Sequence, residues 1–424
     1  MSGTKSVSKI GVAMLAGSIL GYVLTVAVGR ILSPAEYTTF MTFWGLLFGV
    51  GSALSPLEQE VARLSAEAQV KQGKVGVDVV RAFSVATVVV VVVGLIPLIP
   101  AVNAKLFAGH YELGVIVLVA GIAFAAQFAV RGLLIGRDEV TSYSWLLVTE
   151  AAIRPVVVGV LVAVGLGQMV PFGVAVGLGS FAWLLFVRRA GRHIDRSVHG
   201  DDWGPVARRV LTLLLGAALT ASVITGFPAM VALLAPGGDS TKLGGFYAAL
   251  AVARIPLLLF AAVQALAVPM VVRLSASDDG RRRLRQLLTL GAVGGLVLAA
   301  IAAGLAFLIG PWLVRLLYGH DYVVAGWAVA GLMWSAVLLA MIQLLAAVMV
   351  AGKRVDHVLS TWAVVAVSTA LTLAFWPGDP LLRATVGLIV GPTFGLLVSL
   401  GLVSLAHRSS TDHEVAVDDG TTAR

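Results

Sequence analysis

Residues 247–276 read YAALAVARIPLLLFAAVQALAVPMVVRLSA, and parts of this stretch stand earlier in the chain. At one constant offset Tyr37 falls on Tyr247, and Arg63-Leu64-Ser65-Ala66 falls on Arg273-Leu274-Ser275-Ala276. On the same offset Lys105-Leu106 meets Arg315-Leu316, and Gly109-His110 meets Gly319-His320. An unbroken offset of this length means two halves built on one plan. The copies differ in charge. Residues 37–57 carry none until Glu58, whereas the second copy places Arg254 among apolar residues. At 1.5 Å per helical residue, Arg254 lies roughly 10 Å inside a ~30 Å hydrocarbon layer.

Hydrophobic residues make up 59% of the 424-residue chain and charged residues 12%, with a mean hydropathy of +0.97. A soluble domain carries about twice that charge, so the composition implies a polytopic membrane protein. Nothing alternates as a strand would, which leaves helices to cross the bilayer. The absence of cysteine excludes disulfides, thiol chemistry and cysteine-based metal sites. The segment 10–28 follows Lys5 and Lys9 like a signal peptide, but it exceeds a usual h-region and is read as retained.

Hydropathy marks about twelve spans, giving an all-α protein of two pseudo-symmetric six-helix bundles. The first six are 10–31, 37–57, 79–100, 113–135, 143–166 and 170–187. The second six are 208–235, 245–272, 287–309, 325–350, 358–376 and 382–406. With both termini cytoplasmic, the Lys and Arg residues on the outer side are Arg30, Lys105, Lys242, Arg315 and Arg383. Arg154 and Arg254 lie within spans, and the remaining basic residues fall inside, as the positive-inside rule requires. The polar join around Gly200-Asp201-Asp202-Trp203-Gly204-Pro205 divides the bundles. The expected domains are 1–200, 201–407 and a polar, unstructured cytoplasmic tail at 408–424. Six spans is an even number, so the halves are parallel repeats, a plan in which substrate binds between them.

Polar residues within the spans fall in stripes. Ser18, Tyr22, Thr25 and Gly29 share one face of the first helix, and Thr38, Thr42, Gly45, Gly49, Ser52 and Gln59 one face of the second. Thr361, Ser368 and Thr372 form a third. Such stripes either pack closely on a neighbour or line water. Their place on consecutive helices favours a cavity containing Tyr22, Thr25, Thr42 and Ser52. Intramembrane arginines normally face a bundle interior or an aqueous cavity, and their fork suits a diphosphate or carboxylate. Arg254 is the leading binding residue, with Gln264 within 80° on the same helix. Glu150 and Arg154 are four apart and can pair, either as a self-neutralising bundle pair or as groups that change partner during transport. Glu150 is the acid nearest mid-membrane and the coupling candidate. Arg30 and Arg63, at span ends, either anchor or gate. Trp203, Trp312 and Trp376 fit an interfacial belt.

His110 and His320 belong to the repeated loops, with no acidic or histidine cluster beside them to suggest a metal. The run Arg281-Arg282-Arg283-Leu284-Arg285 reads as a topology signal and a contact for anionic lipid, not for nucleic acid. No nucleophile elbow, phosphate-binding glycine loop or paired-carboxylate motif is present, so neither an enzyme nor a cofactor is expected. The short outer loops speak against an integral-membrane glycosyltransferase or polymerase.

Gly29-Arg30-Ile31-Leu32-Ser33-Pro34-Ala35-Glu36-Tyr37 resembles the join between the first two helices of bacterial polysaccharide flippases. These belong to the multidrug/oligosaccharidyl-lipid/polysaccharide exporter superfamily. Arg30, Leu32, Pro34, Tyr37 and Arg63 match the family pattern, while Ser33 and Thr38 stand where it usually has glycine. The resemblance implies an inner-membrane flippase moving a polyprenyl-diphosphate-linked oligosaccharide to the outer leaflet by alternating access. It also implies partner polymerases or glycosyltransferases, and, by likeness to the lipid II flippase, a cavity role for Arg254 on the eighth helix. Arg154 would share the diphosphate. A multidrug or cation exporter of the same superfamily is the alternative, although the first helix lacks the acid that a cationic cargo would want.

Overall fold

The computed structural model describes the backbone of residues 2–195, 197, 202–255, 274, 278–351 and 354–421. Side chains are described from residue 9 to 402 within those ranges, except at 278, 281–282, 284–285 and 351. Among the described residues the regular elements are all helices, with no strand and one isolated bridge between Val75 and Ile194.

Ten helices among the described residues are long and apolar enough to cross a membrane. They include α1 (Ser2–Ile31), the α2–α3 pair (Pro34–Ala53 and Ser55–Val70), and α4 (Asp78–Leu95). After the short α5 (Pro100–Phe107) come α6 (Tyr111–Ile135) and α7 (Val140–Ala163). Beyond α8 (Met169–Leu178) and α9 (Val187–Gly191) lies α10 (Trp203–Ile224), followed by α11 (Phe227–Leu234) and α12 (Ser240–Ala253). The last four are α13 (Asp278–Tyr318), α14 (Gly326–Ala351), α15 (Val355–Phe375) and α16 (Pro380–Thr421). The chain is a multi-pass membrane protein.

Three expected spans differ. The sixth is α8 followed by a 3₁₀ helix, Gly179–Leu185. The seventh breaks at Thr225–Gly226, where Pro228 restarts the chain as α11; proline suits a first helical turn because it has no N–H to leave unpaired. The eighth begins as α12, and residues 256–272 lie outside the described residues. The tail read as unstructured instead continues α16 to Thr421, since extending an existing helix avoids the cost of nucleation.

The repeat is visible in the backbone. Gly109 and Gly319, which correspond in the two copies, take left-handed φ values of 91° and 112° after the helices ending at Phe107 and Tyr318. This conformation costs glycine little and other residues more, so each copy turns on the same residue type.

Contacts divide the chain into two compact units: residues 1–251 with 314–323, and residues 252–313 with 324–424. In the first, glycines bring helices together. A Cβ at Gly132 would strike the Glu58 carbonyl, and one at Gly136 would strike that of Ala62, so α6 lies directly on α3. In the second unit α15 and α16 meet through Gly391 beneath Thr369 and through Ser399, whose hydroxyl donates to Thr361 Oγ1 at 3.3 Å. Thr361, the first residue of its stripe, therefore lies in a packing seam.

Candidate functional site

The first unit holds a line of four buried charges built from α3, α6 and α7. Because Gly132 allows α6 to touch α3, Arg131 Nε comes within 3.0 Å of Glu58 Oε2. The Tyr143 hydroxyl donates to the other Glu58 oxygen at 2.7 Å. Arg131 also lies 3.9 Å from Glu150 Oε2, whose Oε1 accepts from Arg154 at 2.5 Å. Charge alternates along the line and sums to zero, which suits groups that are each nearly nine-tenths buried.

Aromatic rings form its wall. Arg154 lies 4.8 Å from the Phe48 centroid and 6.0 Å from that of Phe124; Arg131 lies 4.8 Å from Phe128 and 5.6 Å from Tyr143. Ring faces attract cations more strongly where water is excluded. Arg154 also reaches the Val176 carbonyl at 3.4 Å, and its side chain fills the space a Cβ at Gly179 would need. The α-helix of the sixth span gives way to 3₁₀ at that glycine, which accounts for its departure from a regular span. Gln127, one turn before Arg131, is fully buried with neither amide atom hydrogen-bonded.

Sequence reasoning found the Glu150–Arg154 pair but only counted Arg131 with the basic residues on the inner side and missed its part. The available signal was the spacing of Gln127 and Arg131, four apart on one face of an otherwise apolar helix.

Arg30 donates to the carbonyls of Leu316 (2.5 Å) and Leu317 (2.6 Å), closing the C-terminus of α13 where backbone acceptors lack helical partners. Beside it Tyr37, Tyr318 and Tyr322 form a cluster with centroids 5.5–5.6 Å apart, and Tyr322 donates to the Leu32 carbonyl. Ser33 caps α2 in a reciprocal capping box with Glu36. Arg63 binds Glu60 at 2.7 Å and Glu67 at 2.5 Å, and Arg209 joins Glu60 at 3.0 Å.

The wet stripe expected on α2 is a packing seam. Gly45 faces Pro228, Gly49 faces Gly226, Ser52 accepts a hydrogen bond from Thr225, and Thr38 donates to the Ser240 carbonyl. Thr42 and Thr25 are buried and bonded back to their own helices, at Thr38 and Tyr22; small residues here permit close approach. Tyr22 is half-buried, with a partner of its own. Arg254 is half-buried and likewise engaged, while Gln264 lies outside the described residues. Among the described residues no group of three or more histidines or acids could hold a metal.

Outside the spans, Glu139 accepts from His193 at 2.9 Å and pairs with Arg189. Burial alone would raise its pKa, but the His193 hydrogen bond and the Arg189 charge outweigh it and hold the carboxyl below its ordinary range.

No protein-family model matches the chain. It is 30% identical over 414 residues to Uncharacterized protein Rv1510 of Mycobacterium tuberculosis, an alignment covering 95% of this chain and 92% of that protein. The chain belongs to that mycobacterial family. Another of these proteins, Uncharacterized protein Rv3630 of Mycobacterium tuberculosis, is 28% identical over 420 residues, with the same coverage. Among solved structures, this member of the family is similar to an inward-facing multidrug resistance MATE family transporter of the MOP superfamily. The TM-score is 0.70 at 12% identity, covering 96% of this chain and 99% of the other. An outward-facing structure described in the same words gives 0.56 at 15% identity, over 96% of each chain. A MOP superfamily transporter from Pyrococcus furiosus, described as having a binding pocket of reverse polarity, gives 0.55 at 14% identity, over 94% and 96%. The fold is that of MATE transporters.

Proposed function

We propose that the chain is an alternating-access transporter that moves a polyprenyl-diphosphate-linked oligosaccharide from the cytoplasmic to the outer leaflet, for cell-surface polysaccharide synthesis. The observation that carries this reading is the charge line of the first unit. Glu58 and Glu150 are both engaged by arginine, so neither offers an uncompensated acid to an organic cation. Arg254 supplies the guanidinium on the eighth helix whose fork suits a diphosphate. Arg154 pairs with Glu150 in this conformation and would reach the diphosphate only by leaving it. The hydrocarbon anchor remains in the bilayer, so only the headgroup needs a polar path.

A multidrug exporter is the second reading, favoured by the words that describe the inward-facing relative in fold. Glu150 would then be the coupling carboxylate, released from Arg154 when protonated. Deleting the gene separates the two. A lipid-linked glycan accumulating on the cytoplasmic leaflet supports the flippase; an unchanged lipid profile with altered drug sensitivity overturns it.

A further inference from the structure

The first unit contains a cavity of about 470 Å³ that belongs to neither the charge line nor the Arg30 clamp. Its wall comes from α2, α4, α10 and α11, and Val50, Val90, Leu211, Leu214, Leu215 and Met230 typify its apolar lining. The size is that of a ligand pocket, but the few convergent polar groups such pockets usually present are missing. Leu211 and Leu215 are 46% and 66% exposed, so the cavity opens toward the surroundings of α10, which in a spanning helix are lipid.

A second depression on the same helix, lined by Pro205, Arg208, Arg209, Thr212 and Leu213, is basic. At 100° per residue, Pro205, Arg209, Thr212 and Leu213 turn to the other side of α10 from the cavity, but Arg208 lies within about 60° of Leu211, Leu215 and Ser222 and so stands at the cavity's end of the helix. The neighbouring cations are occupied: Arg209 by Glu60 at 3.0 Å, and Arg81 by Asp78 at 3.5 Å and by the Trp203 ring, 5.6 Å away. Arg208 is exposed and forms no ion pair among the described residues. Trp203, 54% exposed at the start of α10, marks headgroup depth as interfacial tryptophans do. From Leu211 to Ser222 the helix advances about 16 Å, roughly half a ~30 Å hydrocarbon layer and hence one leaflet.

We propose that this groove, with Arg208 at its end, is a site for an anionic glycerophospholipid, with the phosphate on Arg208 and a hydrocarbon chain along Leu211, Leu215 and Ala218. The positive-inside rule places the site in the cytoplasmic leaflet. The occupant is a lipid because the exposed Arg208 at the groove's end is cationic, the interior offers an apolar slot and the opening faces the bilayer. The site is independent of the transported cargo, since it uses neither Arg254 nor Glu150.

The test reconstitutes the full chain in vesicles carrying either phosphatidylglycerol or phosphatidylcholine with a photoactivatable group on one acyl chain. Cross-linked peptides are then mapped by mass spectrometry. Expected is labelling of 211–222 and 89–93 favouring phosphatidylglycerol about fivefold, the enrichment given by ~1 kcal/mol for one basic side chain near a membrane surface. Arg208→Gln is expected to lower that labelling to the phosphatidylcholine level. Ala218→Trp, which fills the slot, is expected to remove it with either lipid, while Leu371→Trp on exposed α15 leaves it unchanged. Equal labelling by both lipids, or labelling that survives Arg208→Gln, overturns the proposal. Thermal unfolding checks that each variant is folded; if Ala218→Trp is not, the Arg208→Gln comparison decides.

Discussion

Arg131 stands between two carboxylates, and its removal exposes what the charge line does for the bundle. Breaking a buried ion pair by truncating one partner costs about 3–5 kcal/mol, because the other charge stays buried and uncompensated. Among the described residues, Arg154→Met leaves Glu150 with Arg131 alone, 3.9 Å away, while Arg131→Met strips Glu58 of its one arginine partner. Thermal unfolding of the purified protein should rank Arg131→Met below Arg154→Met, with Glu150→Gln/Arg154→Met recovering much of the second loss. Equal losses in the two single variants would show that the four groups do not act as a line. Glu139 makes a different prediction. Its carboxyl is held below the ordinary value of 4.5, so its stabilising contribution is full above that value and disappears as pH falls through the lower folded value. Glu139→Gln should therefore reduce stability at neutral pH and flatten the acid limb of a stability–pH profile. A parallel offset at every pH would contradict this. The Glu150–Arg154 pair was legible because helical spacing alone joins residues four apart. Glu58–Arg131 was not, since it depends on Gly132 letting two helices touch, which no local pattern encodes.

At the scale of the element, hydropathy places helices well and their interruptions poorly. The apolar content of 170–187 signals a span, but the 3₁₀ segment arises where a side chain from α7 lies against Gly179. The stripe on α2 was equally ambiguous, because glycine and threonine at four-residue spacing serve a wet wall or a tight seam alike. The other side of the contact, Thr225, Gly226 and Pro228, decides for the seam. Gly45→Leu should therefore force α2 from Pro228 and lower the melting temperature, by the ~1–3 kcal/mol typical of overpacking. Gly159→Leu, where nothing lies within 4 Å of an added Cβ, should be nearly silent. Similar melting temperatures for the two would argue against the seam.

For the whole molecule, the repeat was the most legible feature, and its Gly-His turns recur with matching backbone. The contact units divide the chain elsewhere than the polar join near residue 200, because contacts report present packing whereas the repeat reports a building plan. If the flippase reading holds, Arg254→Ala abolishes export of the lipid-linked glycan while the protein still reaches the membrane. Wild-type export by that variant, measured as glycan reaching the outer leaflet, would remove Arg254 from the mechanism.

Arg30 ties the last turn of α13 to the end of α1, and the same helix passes from one contact unit to the other between residues 313 and 314. Pro311 lies just before that crossing, where its ring removes a backbone donor and weakens the helix as a stiff rod. One end of a long strut is thus bolted down beside a built-in flexure. Any bending of α13 would concentrate there, leaving the tyrosine cluster and the repeated glycine turn beyond it undisturbed.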